Sequence, residues 1–201
     1  MFNRIVLLSL SSLLLLHLFL SYPTPESLYP QIQRQLVRIE TMRGSGSGVI
    51  LGNLGEVVTA NHVLQGAQTV IAVTSSGKKV GCRVVRTDAD RDLAMLMCYG
   101  LRGVDGVAQF SRLALPLGSR VVTAGYPGGL DLISTDGILA NYVDNKGKLY
   151  VSTLIGAGMS GGAVFTYDGA LVGIIQMIYR VPPFTAVTTN PLQLQRFLQQ
   201  K

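Results

Sequence analysis

The sequence predicts an all-β fold: two six-stranded antiparallel β-barrels side by side, closed by a short C-terminal helix and preceded by a hydrophobic leader helix. Three observations predict it. Past residue 35 the chain runs as short Val-, Ile-, Leu- and Thr-rich segments broken by Gly, Asn, Asp and Ser, the pattern of a sandwich or barrel. These segments fall into two sets of six, separated by a turn-rich stretch at 99–118. With 48% hydrophobic and 14% charged residues over 201 positions, the chain can bury a real core, which excludes disorder. Two cysteines exclude a disulfide-stapled miniprotein, and two cysteines with two histidines leave little for a structural zinc site. No metal ion and no cofactor is expected.

The leader comes first. Arg4 precedes the run IVLLSLSSLLLLHLFL at 5–20, and Pro23 and Pro25 follow it. A basic start before an apolar run is an export signal and takes no part in the fold. Sixteen helical residues at about 1.5 Å each reach about 24 Å, short of the ~30 Å hydrocarbon core, as suits a signal peptide. No small-x-small cleavage site stands between Phe19 and Ser27, which suits a signal anchor with Arg4 inside. Both readings of residues 1–21 stay open. Both export the body, to a secreted, periplasmic or membrane-anchored location. Residues 22–35 read as a linker.

The first barrel, 36–98, takes strands at 36–41, 47–52, 56–60, 68–74, 79–86 and 92–98. After the connector at 99–118, the second barrel, 119–189, takes strands at 119–125, 133–141, 148–154, 162–166, 170–176 and 184–188. Asn145-Lys146-Gly147 and Tyr167-Asp168-Gly169 each put a glycine where a hairpin turn needs positive φ. Residues 190–201 close the chain as a helix, with Asn190 at the cap, Pro191 at the first helical position, and Leu194, Phe197 and Leu198 facing inward.

Charge narrows the partners. One of the 17 Lys and Arg leaves with residues 1–21, so the body keeps 16 against 11 acids. The densest basic group, Lys78, Lys79, Arg83 and Arg86, has no aromatic platform beside it and reads as a solvated strand face. A nucleic-acid surface is not expected. Protein or peptide substrates are, with membrane contact through the N-terminal segment if it stays uncleaved.

Three segments carry chemistry: Val58-Thr59-Ala60-Asn61-His62 at a strand end, Asp92-Leu93-Ala94-Met95-Leu96 opening a strand, and Gly156-Ala157-Gly158-Met159-Ser160-Gly161-Gly162 in a glycine-dense turn. Serine is a poor nucleophile until a base takes its proton, and an attacked carbonyl needs donors for its oxyanion. The glycines around Ser160 can point successive backbone N–H groups into one cavity, which assigns the N–H groups of Gly158 and Ser160 to that task. A Gly-x-Ser-x-Gly string also occurs at the nucleophile turn of α/β-hydrolases, where the histidine follows the serine. No histidine follows residue 160, and His17 lies in the leader, so His62 is the usable base. Of Asp88, Asp90 and Asp92, only the last leads directly into an apolar strand, where a carboxylate beside His62 can fix its tautomer.

These boxes resemble those of the trypsin-like (chymotrypsin-fold) serine peptidases, nearest to the protease domain of the Deg/HtrA branch. Gly44-Ser45-Gly46-Ser47-Gly48-Val49-Ile50 resembles the branch's opening strand. Thr59-Ala60-Asn61-His62, Asp92-Leu93-Ala94-Met95-Leu96 and Gly158-Met159-Ser160-Gly161-Gly162 resemble its histidine, aspartate and serine boxes. Gly125-Tyr126-Pro127-Gly128 and Gly137-Ile138-Leu139 resemble second-barrel signatures. The resemblance spans about 36–189. It implies the chymotrypsin-like double barrel, with His62 and Asp92 on the first barrel, Ser160 on the second and the cleft between. Met159 stands where digestive relatives carry an acid that pairs with a new N-terminus, which implies that no such zymogen activation occurs. Ala163 replaces the family's usual proline. No PDZ module is expected after the second barrel.

By the same resemblance, the strand at 171–178 pairs with the substrate backbone, with Gln176, Met177 and Ile178 at the contact. Ile178 would narrow the primary pocket, favouring small aliphatic side chains over Arg and Lys. Cys82 and Cys98 flank the turn at 87–91 as cross-strand neighbours, either bridged after export or present as two buried thiols. The activity expected is peptide-bond hydrolysis through an acyl-serine. A catalytically silent, membrane-tethered protein-binding module on the same fold is the alternative, with an esterase behind it.

Overall fold

The computed structural model describes residues 25–200 apart from 105, 112–114, 144–147 and 180–184. The leader at 1–21 and the Asn145-Lys146-Gly147 turn lie outside the described residues.

Twelve strands among the described residues close into two antiparallel barrels of six. The first contains β1 (Leu36–Thr41), β2 (Gly44–Ile50), β3 (Glu56–Thr59), β4 (Thr69–Val73), β5 (Lys79–Asp88) and β6 (Leu93–Met97), in the spatial order β1-β2-β3-β6-β5-β4. The second contains β7 (Arg120–Gly125), β8 (Ile133–Val143), β9 (Lys148–Thr153), β10 (Ala163–Phe165), β11 (Leu171–Tyr179) and β12 (Thr185–Thr189), in the order β10-β11-β12-β9-β8-β7. Each expected strand is present, with ends moved by a few residues. Alternation carries the closure: β5 turns Val80 and Cys82 inward and Lys79, Gly81 and Arg83 outward. The barrel interiors are filled by side chains such as Ile39, Val57, Leu96 and Leu101 in the first and Leu139, Val151, Val164 and Ile175 in the second.

Residues 25–35, expected as part of a linker, instead form a helix, α1 (Pro25–Gln35). The prolines hid an i, i+4 apolar pair. Leu28 and Ile32 are 3% and 1% exposed, and together with Leu36 they enter a cluster that also takes Val49, Val58 and Leu93 from the first barrel and Val122, Phe165 and Ile174 from the second. Burying two such side chains contributes roughly 1.5–3 kcal/mol each. Tyr29 and Gln31 add hydrogen bonds to Leu132 O and Gly169 O of the second barrel. The helix braces the seam behind the cleft.

A four-residue helix, α2 (Asn61–Leu64), follows β3, and α3 (Pro191–Gln199) closes the chain. Asn190 caps α3 by accepting from Gln193 N at 2.7 Å, Leu194 and Phe197 are buried, and the Arg86 guanidinium lies 4.6 Å from the Phe197 ring centre. Cys82 on β5 and Cys98 after β6, both buried, are joined by a disulfide across the first barrel. Gly169 turns the β10–β11 hairpin with φ 82°.

Candidate active site

His62 sits on α2, one turn of helix anchored by buried Val63 and Leu64, at the end of β3. Asp92 holds it at two points. Oδ2 lies 2.8 Å from His62 Nδ1, and Oδ1 accepts the His62 backbone N–H at 2.9 Å. A carboxylate that binds both ring and backbone fixes the direction of the imidazole as well as its tautomer: the proton stays on Nδ1 and the Nε2 lone pair is left for a substrate-side partner. The hydrogen bond to Asp92 raises the His62 pKa above its ordinary 6.5; partial burial opposes the rise and the Asp92 charge adds to it.

Asp92 reaches this position through an unusual backbone. Its φ of 51° is left-handed, a region that aspartate tolerates better than most residues. Its carbonyl is held from both barrels, accepting from Asn61 N at 3.2 Å and from Gln176 Nε2 at 3.1 Å. The neighbouring acids do other work. Asp88 pairs with Arg91 at 2.5 Å and caps its backbone N–H, which lowers the Asp88 carboxyl pKa against the pull of partial burial. Asp90 is exposed.

Ser160 lies in a turn between β9 and β10 that is braced on all sides. Met159 N donates to Gly156 O, Gly162 N to Met159 O, and Gly161 N to Ile175 O at 2.7 Å. Ser160 O accepts from Ser47 N of β2 at 2.8 Å. Two glycines are dictated by the packing. A Cβ on Gly158 (φ 96°) would lie 2.6 Å from Gly128 N and 2.7 Å from Tyr126 O. One on Gly161 (φ 81°) would run into Ser47 O and Thr59 Oγ1, with Ala60 N at 3.1 Å. These contacts seat the serine turn against the Thr59–Val63 segment that carries His62. Among the described residues no hydrogen bond joins Ser160 Oγ to the His62 ring, and the N–H groups of Gly158 and Ser160 donate to no protein acceptor. They are free for a ligand oxygen.

Gln176, placed by the sequence on the segment expected to contact the substrate backbone, turns its side chain away from solvent: it is 3% exposed and crosses to the first barrel, donating to Arg91 O and Asp92 O. The reason is a register shift between Ile175 and Met177 against β12, a bulge that re-aims the intervening side chain. Its Oε1 is buried without a partner among the described residues. Met177 is half exposed, and the Ile178 side chain lies outside the described residues.

Two further groups escaped the sequence reading. The hydroxyl of Ser47, fully buried, accepts from Tyr126 N and donates to Gly158 O, both at 2.9 Å, joining β2 to the serine turn. Tyr126 itself stays a donor to Leu36 O, since burial pushes its phenol up to about 12. Arg38 on β1 donates to Gly129 O at 3.0 Å beside the same turn. A serine at an inward strand position among glycines is the only trace that Ser47 leaves in the sequence.

Two antiparallel barrels, with a His–Asp pair on one seated against a glycine-bound serine turn on the other, define the class: a chymotrypsin-like double barrel. The model of the trypsin-like peptidase domain matches residues 46–174, and the chain belongs to that family. Among curated relatives it is 31% identical over 137 residues to the periplasmic serine endoprotease DegP of Escherichia coli, covering 64% of this chain and 29% of DegP. To the periplasmic pH-dependent serine endoprotease DegQ of the same species it is 29% identical over 143 residues, 67% of this chain and 31% of DegQ. The chain thus matches about a third of the length of these relatives. In fold it is similar to a serine endoprotease from Yersinia pestis, with TM-score 0.76, 24% identity, and coverage of 85% of this chain and 65% of that one. The Rv3671c protease of M. tuberculosis, inactive form, also gives TM-score 0.76, at 20% identity over 89% of this chain and 96% of its own.

Proposed function

We propose that this chain is a serine endopeptidase that hydrolyses peptide bonds through an acyl-serine, with Ser160 as nucleophile, His62 as base and Asp92 as its partner. The observation that carries the reading is the two-point grip of Asp92 on His62, at 2.8 and 2.9 Å, on a scaffold whose serine turn keeps two N–H groups with no acceptor among the described residues. Membership of a peptidase family and the serine endoprotease relatives support it.

In the mechanism, Ser160 Oγ attacks the scissile carbonyl while His62 Nε2 takes the hydroxyl proton. The carbonyl oxygen becomes an oxyanion and is received by the N–H groups of Gly158 and Ser160. Asp92 stabilises the imidazolium formed in that step. The imidazolium then gives its proton to the leaving amine, the C–N bond breaks, and an acyl-serine remains. Water, deprotonated by His62, attacks this ester and restores Ser160. The residues just before Ser160, from Leu154 to Met159, include no acid to pair with a cation, which argues against Arg or Lys at the cleaved position.

We further propose that the chain works outside the cytoplasm. The Cys82–Cys98 disulfide suits an oxidising compartment, and the relatives named above are periplasmic. The leader is the export signal, as a cleaved peptide or an anchor; among the described residues no helix is long and apolar enough to cross a membrane.

The test is labelling of the purified chain by a fluorophosphonate probe. Labelling that disappears in Ser160→Ala is expected, with a proteome-derived peptide digest then reporting the cleavage preference. A well-folded wild type that neither labels nor cleaves would instead make the chain a binding module on the same scaffold.

A further inference from the structure

Among the described residues no ion pair holds the oxyanion loop: Met159, next to Ser160, is uncharged and 1% exposed. Its orientation rests on a neighbouring turn, Pro127–Gly129. Gly128 N donates to Ala157 O at 2.7 Å. In a trans peptide the carbonyl and the following N–H point to opposite sides, so pinning Ala157 O toward Gly128 aims Gly158 N–H away from the turn, where it meets no protein acceptor. Whatever fixes the turn therefore aims the donor.

The turn has little apolar burial of its own. Gly128 and Leu130 are exposed, and Pro127 and Gly129 are half-buried. Successive left-handed residues, Gly128 at φ 61° and Gly129 at φ 74°, give it a conformation that glycine adopts without restricting its alternatives. A charged side chain from the other barrel grips it. Arg38 Nη1 donates to Gly129 O at 3.0 Å, while Nη2 and Nε bind Glu40 Oε1 at 2.8 and 3.2 Å. Lys79 of β5 binds the second Glu40 oxygen at 3.2 Å. The guanidinium fork is thus aimed by its own barrel before it reaches across, and a planar, fixed fork suits this task better than a flexible ammonium.

We propose that Arg38 is a positioning residue: anchored by Glu40, it holds the Pro127–Gly129 turn from the first barrel and so keeps Gly158 N–H aimed at the oxyanion. The proposal rests on reading Gly158 as an oxyanion donor. It makes the donor's aim depend on how the two barrels sit across the cleft, since the grip starts on one and ends on the other.

The test compares Arg38→Ala, Arg38→Lys and Glu40→Gln in the full-length chain, reading hydrogen exchange and steady-state kinetics on one peptide substrate. In Arg38→Ala, exchange should quicken in the segments 126–130 and 156–161 and stay unchanged in β4–β6. Deleting an oxyanion donor costs about 10²–10³ in kcat, so a misaimed one should cost about tenfold, with KM held within about twofold. Arg38→Lys, which keeps a donor for Gly129 O, should recover part of kcat, and Glu40→Gln should fall between. A folded Arg38→Ala with wild-type exchange in both segments and wild-type kcat would overturn the proposal, as would a rise in KM at constant kcat. If Arg38→Ala does not fold, Arg38→Lys carries the same comparison. A wild type that fails to label with fluorophosphonate would sink the peptidase reading instead, and the exchange measurement would still decide whether Arg38 holds the loop.

Discussion

Replacing Ser47 by alanine isolates one hydroxyl at the junction of the barrels. Ser47 Oγ serves two partners at once, accepting from Tyr126 N and donating to Gly158 O, each at 2.9 Å, and the residue is fully buried. Ser47→Ala leaves a buried N–H and a partly buried carbonyl unpaired, at about 1–3 kcal/mol for each group left unsatisfied. One oxygen atom vacates too little space for a cavity cost to dominate, so the expected loss is about 3 kcal/mol. For a chain of this size that lowers Tm by about 6–12 °C. Urea unfolding gives the free energy, and kcat on a peptide ester reports the aim of the Gly158 peptide, with a fall of about tenfold or more expected from the misplaced oxyanion donor. Ser47→Ala that unfolds within about 0.5 kcal/mol of wild type, at unchanged kcat, would refute the account, because surface changes alone stay within that margin.

Asp92→Asn should cut kcat by about 10⁴-fold while leaving the fold intact, measured by single-turnover acylation. The wild-type pH profile should lose activity on the acid side through an apparent pKa above 6.5, because Asp92 raises the pKa of His62 and only the neutral ring is a base; Asp92→Asn should move that limb to lower pH. The sign for stability is opposite. The charged pair stabilises the folded chain fully below pH 6.5 and that gain is lost as pH rises through the raised value. Gln176→Ala removes the donor that spans from β11 to Arg91 O and Asp92 O, and should lower kcat by about tenfold with KM little changed, since it acts through Asp92. Reducing the Cys82–Cys98 disulfide, whose cysteines stand 16 positions apart in sequence, should cost about 3 kcal/mol in urea unfolding, and an equal midpoint with and without reductant would contradict it.

Much of the architecture was legible because barrel strands advertise themselves locally. Lys79–Asp88 alternates inward and outward with period two, and Gly169 marks its turn by residue type alone. His62 and Asp92 were legible through elimination, since residue types and chain order left few candidates. Helix α1 was not. Pro25 and Pro30 are ordinary linker signals, and the Leu28–Ile32 spacing has meaning only against Val122 and Phe165, far along the chain. The direction of Gln176 was hidden for a related reason: a bulge between Ile175 and Met177 changes which way a side chain points without changing the sequence pattern. Ser47 and Arg38 belong to the same group, because their partners are backbone atoms of the opposite barrel, and a backbone atom leaves no residue-type signal.

Those cross-barrel contacts divide the labour with the apolar seam. Val49, Val58 and Leu93 pack against Ala124, Ala163 and Ile174, and that burial makes the barrels adhere. Hydrophobic contact is non-directional, so it tolerates small slips that catalysis does not; a misplacement of about 1 Å can cost about 10²-fold. Directional bonds at the cleft supply what the seam lacks. Ser47 and Arg38 reach from the first barrel to the serine turn and to Gly129 beside it, and Gln176 reaches from the second barrel to Asp92. Each half of the candidate site is therefore aligned by the other. Met159, buried and uncharged, stands beside the serine, so the bonds that tie the two halves together run through Ser47, Arg38 and Gln176 rather than through an acid at that position.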